Sequence, residues 1–138
     1  MEIEIERKND RYQLESIASG NLIDITASPD LAGEPSSGYR PMELLLSALG
    51  SCMSIDILNI LYKQRQFPSS FKVKVKGRRS EEVPTVFTHI KTVVYVRGPI
   101  DGYKLERAIK LSEESYCSVY HMLSPKVEIS TTYQLIDD

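Results

Sequence analysis

Short segments in which apolar and polar residues alternate open the chain. The first six residues read MEIEIE, and this period of two predicts a β-strand with one apolar face and one acidic face. Two further extended runs cover residues 12–16 and 22–26, and the turn-forming residues Ser19, Gly20 and Asn21 separate them. The pattern therefore predicts a three-stranded meander.

A long apolar segment comes after residues 27–40, whose prolines and glycines predict a loop. Pro41 suits the first turn of a helix, Glu43 complements the positive end of its dipole, and Pro68 prevents continuation beyond about residue 65. The first half of this helix is apolar or small on every side, which is typical of a helix that is buried all round. Because 138 residues offer little material to surround it, we expect a second subunit to help cover it.

Strand and helix patterns alternate in the rest of the chain. Residues 71–77 alternate apolar residues with lysine, and residues 86–96 are apolar on both faces, so the second of these strands is predicted to be central. Asp101 can cap a helix over residues 102–121, and alternation over residues 127–135 predicts the last strand. The order βββ-α-ββ-α-β indicates an α+β fold in a single domain, residues 1–138.

Composition narrows the classes of partner. The formal charge of −2 gives no field that would attract nucleic acid or an anionic membrane. The amino terminus carries acids where a secretory signal has a basic and then an apolar stretch, so a cytoplasmic location is expected. Apart from Glu43, the uncharged run from Pro41 ends at Asp56, short of the ~20 residues of a transmembrane helix. We therefore expect no nucleic-acid partner and no membrane span.

Cys52 lies in the middle of the apolar helix and Cys117 near the end of the second predicted helix. In a reducing cytoplasm they are either buried, inert thiols or a redox pair, and only geometry decides, because a disulfide needs Cα atoms within ~7 Å. A nucleophilic Cys52 has to be a thiolate. The helix dipole cannot stabilise this thiolate, because the start of the helix is about 16 Å away. The candidates for the activating cation are Arg7, Arg11 and, from a second subunit, the partner's Arg40.

Two segments of the chain resemble a known family. The stretch RPMELLLSALGSC at residues 40–52, together with Tyr116-Cys117-Ser118-Val119, resembles the OsmC/Ohr family of osmotically inducible and organic hydroperoxide resistance proteins. The strand beginning FTHI at Phe87 and the run LSEESYC at residues 111–117 are similar to its YhfA-like branch. The similarity extends over nearly the whole chain from about Arg40 onward.

This resemblance implies an intertwined homodimer in which curved antiparallel sheets enclose long central helices and each site lies at the subunit interface. It also implies a dithiol mechanism for the reduction of organic hydroperoxides. Cys52 would attack the peroxide and become a sulfenic acid, Cys117 would condense with it to a disulfide, and an external thiol would reduce that disulfide. No cofactor is implied.

The sequence departs from the family at the start of the helix. The family's hydroperoxide reductases have a glutamate directly after the helix-initiating proline, where this chain has Met42, and Glu43 follows one position later. We take Glu43 as a candidate catalytic residue, with Arg7 as the first choice for the activating arginine and Arg11 as the second. The alternative is a non-enzymatic dimer that binds an apolar small molecule or acts as a thiol redox sensor.

The remaining candidates have ordinary structural explanations. His89 and His121 lack metal-binding spacing with each other or with the cysteines, so no metal site is expected. The basic residues at 72, 74, 76 and 78 indicate a solvated sheet face more than a phosphate site. Tyrosines 39, 116 and 120 either line an apolar pocket near the thiols or belong to the core.

Overall fold

The computed structural model describes residues 1–8, 11–26 and 38–137. The chain forms two compact units, Met1–Leu45 and Leu46–Asp138, and each is considered by itself. Most of the loop predicted for residues 27–40 lies outside the described residues. The assignment of the chain to one domain stays a prediction.

The first unit contains an antiparallel meander. Strands β1 (Ile3–Lys8), β2 (Arg11–Ser16) and β3 (Leu22–Ile25) pair in the order β1-β2-β3. Gly20 has φ of +69°, which glycine adopts without strain, and its N–H donates to the Ser16 carbonyl to turn the chain between β2 and β3. The predicted three-stranded meander is confirmed.

Helix α1 (Pro41–Lys63) starts where the sequence predicts. The Arg40 backbone N–H donates to Glu43 Oε2 at 2.9 Å, which is one half of a capping box. Two residues beyond the end of the helix, Arg65 is left-handed, with φ of 58°. The Gln66 N–H bonds to the Leu61 carbonyl and the Arg65 N–H to that of Tyr62, which together form a Schellman motif.

One stripe of α1 is fully buried. Leu49, Met53, Ile57 and Leu61 recur at every fourth position and have no exposed surface. A Cβ atom on the buried Gly50 would lie 2.9 Å from Val75 Cγ2, so the absence of a side chain lets the helix approach the neighbouring strand closely.

The opposite side of α1 is open in the single chain. Ile55 is 61% exposed, and only 28% of the most apolar 18 residues of the helix are buried. By length and composition alone α1 is long and apolar enough to cross a membrane, although the uncharged run was predicted to be too short. The core helix of a soluble protein meets the same criterion, so one such helix is weak evidence for a membrane.

The second unit has its own three-stranded sheet. It contains β4 (Ser70–Arg79), β5 (Phe87–Arg97) and β6 (Glu128–Ile136), with β5 central as predicted. Strand β5 pairs antiparallel with β4 but parallel with β6, which corrects the expectation of purely antiparallel sheets. The helices between β5 and β6 form the crossover that a parallel pair requires. The lysines of β4 are exposed, as expected of a solvated face.

The second predicted helix is interrupted. Asp101 caps α2 (Gly102–Leu111) as predicted, because its carboxylate accepts the N–H groups of Tyr103 and Lys104. A π-helical turn (Ser112–Tyr116) follows, Cys117 is extended, and α3 (Ser118–Leu123) is a separate short helix. The expectation of one continuous helix over residues 102–121 was therefore wrong, and the break falls at the second cysteine.

Candidate functional site

The structure brings the two cysteines together. Cys52 projects from the middle of α1, whereas Cys117 lies in the break between α2 and α3, 65 positions later in the chain. Their sulfur atoms lie within 4.8 Å of each other. Cys52 is half-buried and Cys117 has no exposed surface. The two thiols therefore face each other from separate segments of the chain, close enough to react with each other after a small approach.

The break in the second helix positions Cys117. Its backbone is extended, with φ of −73° and ψ of 100°, so it occupies the N-cap position of α3. There Sγ accepts the Tyr120 N–H at 3.3 Å, as a serine or aspartate oxygen does at other helix starts. The preceding π-helical turn is a feature that recurs at functional sites. The cap fixes the direction of the sulfur.

A carboxylate completes the cluster. Asp56 follows Cys52 by four positions, so both lie on the same face of α1. An Asp56 carboxylate oxygen lies within 4.8 Å of both sulfur atoms. The fully buried Ser112 donates its hydroxyl to Asp56 Oδ2 at 3.2 Å and thereby ties α1 to the π-helical turn. Sequence reasoning missed Asp56, although the Cys-x-x-x-Asp spacing in an otherwise apolar helix was a usable signal.

The surroundings of the Cys117 thiol together raise its pKa from 9.0 to about 12, and burial is the largest cause. The hydrogen bond with Cys52 also raises it, while the Tyr120 N–H lowers it. The charges of Cys52 and Asp56 raise it as well, because each is negative when ionised. Cys117 is therefore a neutral thiol at physiological pH, and it is unsuited to be the first nucleophile.

The other predicted site residues belong to the first unit. Arg7 is on β1 opposite Tyr12, in the first unit, whereas both thiols belong to the second. Glu43 caps the first turn of α1 through the Arg40 N–H, which gives its carboxylate a structural role. The side chain of Arg11 lies outside the described residues. The activating roles assigned to Arg7, Arg11 and Glu43 stay predictions.

The cluster was also considered as a metal centre. Within residues 1–8, 11–26 and 38–137, the donors that converge are those of Cys52, Asp56 and Cys117. They are three, where a structural zinc site uses four, and no histidine joins them. His89 Nε2 instead lies 3.1 Å from Glu128 Oε2, and His121 packs edge-on against Tyr120. We interpret the cluster as a dithiol with an adjacent carboxylate.

A cavity of about 670 Å³ opens beside the cluster, between α1 and α2. Asp56 and the exposed Tyr116 border it, and Lys63, Lys104 and Arg107 add positive charge to its wall. Of the other tyrosines considered from the sequence, Tyr120 contributes its backbone N–H to the Cys117 sulfur, and Tyr39 forms a bridge with Ile25 in the first unit.

Comparisons with known proteins agree with this architecture. Residues 33–132 match the family model described as OsmC-like protein. Protein YhfA of Escherichia coli K12 is 41% identical, over 75% of this chain and 88% of its own.

Solved structures extend the comparison to the fold. A hypothetical protein from Aquifex aeolicus VF5 superposes with a TM-score of 0.86 at 30% identity, covering 99% of this chain and 96% of its own. The organic hydroperoxide resistance protein OhrB of Bacillus subtilis superposes with a TM-score of 0.67 at 15% identity, covering 96% of each chain. Because the family model matches residues 33–132 and YhfA is 41% identical, the chain belongs to the OsmC-like protein family.

Proposed function

We propose that this chain reduces organic hydroperoxides in the cytoplasm by a dithiol–disulfide cycle. The Cys52 thiolate attacks the terminal peroxide oxygen, the O–O bond breaks, and the alcohol leaves after taking up one proton. Cys52 is then a sulfenic acid, and Cys117 displaces its oxygen as water to form the disulfide. Two equivalents of an external thiol reduce the disulfide and leave as their own disulfide.

The observation that carries this proposal is the convergence of two free thiols, one from α1 and one from the break between α2 and α3, to within 4.8 Å. The thiols are also unequal, since the half-buried Cys52 can meet a substrate and the fully buried Cys117 cannot. Membership of the OsmC-like family supports the same chemistry, because OhrB and other proteins of this fold are named organic hydroperoxide resistance proteins.

The proposed assembly is a homodimer with a site at each interface. Support comes from α1, whose apolar Leu45 and Ile55 are 40% and 61% exposed in the single chain. A second subunit would bury this surface and contribute about 25 cal/mol of stabilisation per Å² of apolar area removed from water. Light scattering coupled to gel filtration measures the mass directly, and a monomer of 15.7 kDa would refute the dimer.

The decisive experiment on function compares three proteins with cumene hydroperoxide and a small thiol reductant. The parent is expected to consume the peroxide with multiple turnovers. Cys52→Ser should lose this activity. Cys117→Ser, assayed without the reductant because a small thiol would reduce the sulfenic acid, should consume about one equivalent and accumulate Cys52 sulfenic acid, which a dimedone reagent traps. Peroxide consumption by Cys52→Ser at the parent rate would rule out the proposed cycle.

The second candidate function is a non-enzymatic ligand-binding protein or thiol redox sensor. The cavity of about 670 Å³ beside Asp56 favours it, because a space of this size accommodates a small molecule. Its mixed lining, with Lys63, Lys104 and Arg107, fits an amphipathic ligand better than a purely apolar one. In that case the purified protein would show negligible peroxide turnover and would retain a ligand detectable by native mass spectrometry.

A further inference from the structure

Formation of the disulfide requires Cys117 to lose a proton. The sulfur of Cys117 is fully buried, so bulk water does not reach it readily. A neutral thiol attacks a sulfenic acid poorly, because the thiolate is the nucleophile. Some group within the site must therefore receive the proton when the S–S bond forms.

Asp56 is placed to do this. Its carboxylate lies within 4.8 Å of both sulfurs, which is close enough for proton transfer through one water molecule. The Ser112 hydroxyl holds Oδ2 at 3.2 Å, so the carboxylate is oriented by a contact that is independent of either cysteine. The same carboxylate therefore lies near the Cys117 sulfur, which gives up the proton, and near the Cys52 sulfur, whose departing hydroxide takes it up.

We propose that Asp56 is the proton relay of the resolving step, a role that rests on the proposed dithiol cycle. As Cys117 attacks the Cys52 sulfenic acid, Asp56 takes the proton from the Cys117 thiol. The S–S bond forms and the S–O bond of Cys52 breaks. Asp56 passes the proton to the departing hydroxide, which leaves as water. The Cys117 sulfur is oxidised, the Cys52 sulfur is reduced, and the carboxylate is regenerated without an added reagent.

A purely electrostatic role for Asp56 predicts the opposite result. The charge of Asp56 contributes to the raised pKa of Cys117, so its removal would lower that pKa and increase the thiolate fraction. If this were its whole effect, Asp56→Asn would form the disulfide faster than the parent. Loss of a relay instead slows it, by about a hundredfold if the carboxylate acts as an ordinary general base.

The first experiment measures the resolving step without peroxide. The reduced protein, kept in a metal chelator, is treated with one equivalent of dithiodipyridine, which activates the accessible Cys52. Modification of Cys52 releases one thiopyridone, and attack by Cys117 on the mixed disulfide then releases a second, whose absorbance follows the resolving step. Asp56→Asn is expected to slow this release about a hundredfold, and its rate should rise with pH because hydroxide replaces the relay. In the parent the rate should depend only weakly on pH across the neutral range, because the Asp56 carboxylate takes the proton from Cys117. Cys52 is a neutral mixed disulfide at this stage, so Asp56 is the group whose charge acts on Cys117.

Matched variants separate a relay from a structural effect. Asp56→Glu should restore part of the rate, because it keeps a carboxylate. Glu114→Gln, the same acid-to-amide change at an exposed position of the π-helical turn, should leave the rate unchanged. If Asp56→Asn does not fold, a solvent isotope effect of about two or more on thiopyridone release by the parent tests the relay directly, and its absence overturns it.

The results that would overturn the relay differ from those that would overturn the proposed peroxidase activity. Thiopyridone release by Asp56→Asn at the parent rate, or faster, with an unchanged pH dependence overturns the relay. A second combination is that the parent protein fails to consume cumene hydroperoxide while Asp56→Asn still slows thiopyridone release. That combination overturns the peroxidase activity and supports the relay. In the peroxide assay without a reductant, the relay predicts that Asp56→Asn accumulates Cys52 sulfenic acid, which the parent converts to the disulfide.

Discussion

The buried thiol of Cys117 should be almost inert in the folded protein. With its pKa raised from 9.0 to about 12, the group is about one part in ten thousand thiolate at pH 8, compared with about one tenth for the unperturbed thiol. Alkylation by iodoacetamide proceeds through the thiolate. We therefore expect Cys117 to react about a thousandfold more slowly in the native protein than in the unfolded one.

The assay is alkylation of the fully reduced protein, with separate quantification of the peptides that contain Cys52 and Cys117 by mass spectrometry. The same protein in concentrated urea gives the unfolded reference rate. Cys52→Ser is the matched variant, because it removes the charge of Cys52 that raises the Cys117 pKa and replaces its hydrogen bond. Alkylation of Cys117 in this variant should be faster than in the parent, but still far below the urea rate, since burial is the largest cause of the shift.

Two results would refute this reasoning. Native Cys117 that reacts at the rate seen in urea would mean that its surroundings do not suppress the thiolate. A rate in Cys52→Ser below that of the parent would mean that Cys52 facilitates ionisation of Cys117, which is the reverse of the effect described here.

Three further predictions concern stability, each measured by urea unfolding. Asp101→Ala removes the carboxylate that accepts the N–H groups at the start of α2, so it should lower the free energy of unfolding by about 1 kcal/mol. Asp101→Asn should lower it by less, and equal losses in the two variants would contradict the capping role. Arg65→Gly should stabilise the protein by about 1 kcal/mol, because a non-glycine residue with φ of 58° is strained, and any destabilisation would refute the assigned Schellman end. Because the pKa of Cys117 is higher in the folded state than in the unfolded state, the contribution of Cys117 to stability is complete below pH 9 and is lost between pH 9 and about 12. The parent should lose up to about 1.4 kcal/mol per pH unit in this range relative to Cys117→Ala, and parallel curves would contradict the raised pKa.

Local patterns predicted most of the fold. The alternation in the first residues, the start of α1 at Pro41, the cap at Asp101 and the central position of β5 all depend on contacts within a few residues or on burial of both faces, which leave a direct trace in the sequence. The parallel pairing of β5 with β6 depends on where the crossover returns in space, and the alternation of residues 127–135 is the same for either strand direction.

The site was predictable only in part. Cys52 and Cys117 stood out by residue type and resemblance, but their distance is a tertiary property. The break at Cys117 was hidden because apolar residues recur at helical spacing on both sides of it. The hydrogen bond between Ser112 and Asp56, which joins the π-helical turn to α1, connects residues that are 56 positions apart in the sequence. Asp56 was taken as the end of an uncharged run, so its position one turn from Cys52 was not connected with the chemistry.

The unequal environments of the two thiols impose an order on the proposed cycle. While Cys52 is reduced, its hydrogen bond and its charge when ionised both help to keep Cys117 protonated, so Cys117 does not compete for the oxidant. Oxidation of Cys52 to a sulfenic acid replaces the anionic sulfur by a neutral one. One influence that held the proton on Cys117 therefore disappears at the step in which Cys117 must attack. The Asp56 carboxylate then remains beside the pair. It can accept the proton of the Cys117 thiol and pass it to the hydroxide that leaves the Cys52 sulfenic acid. Two thiols in identical surroundings would lack this order, because either could react first and neither would be held in reserve.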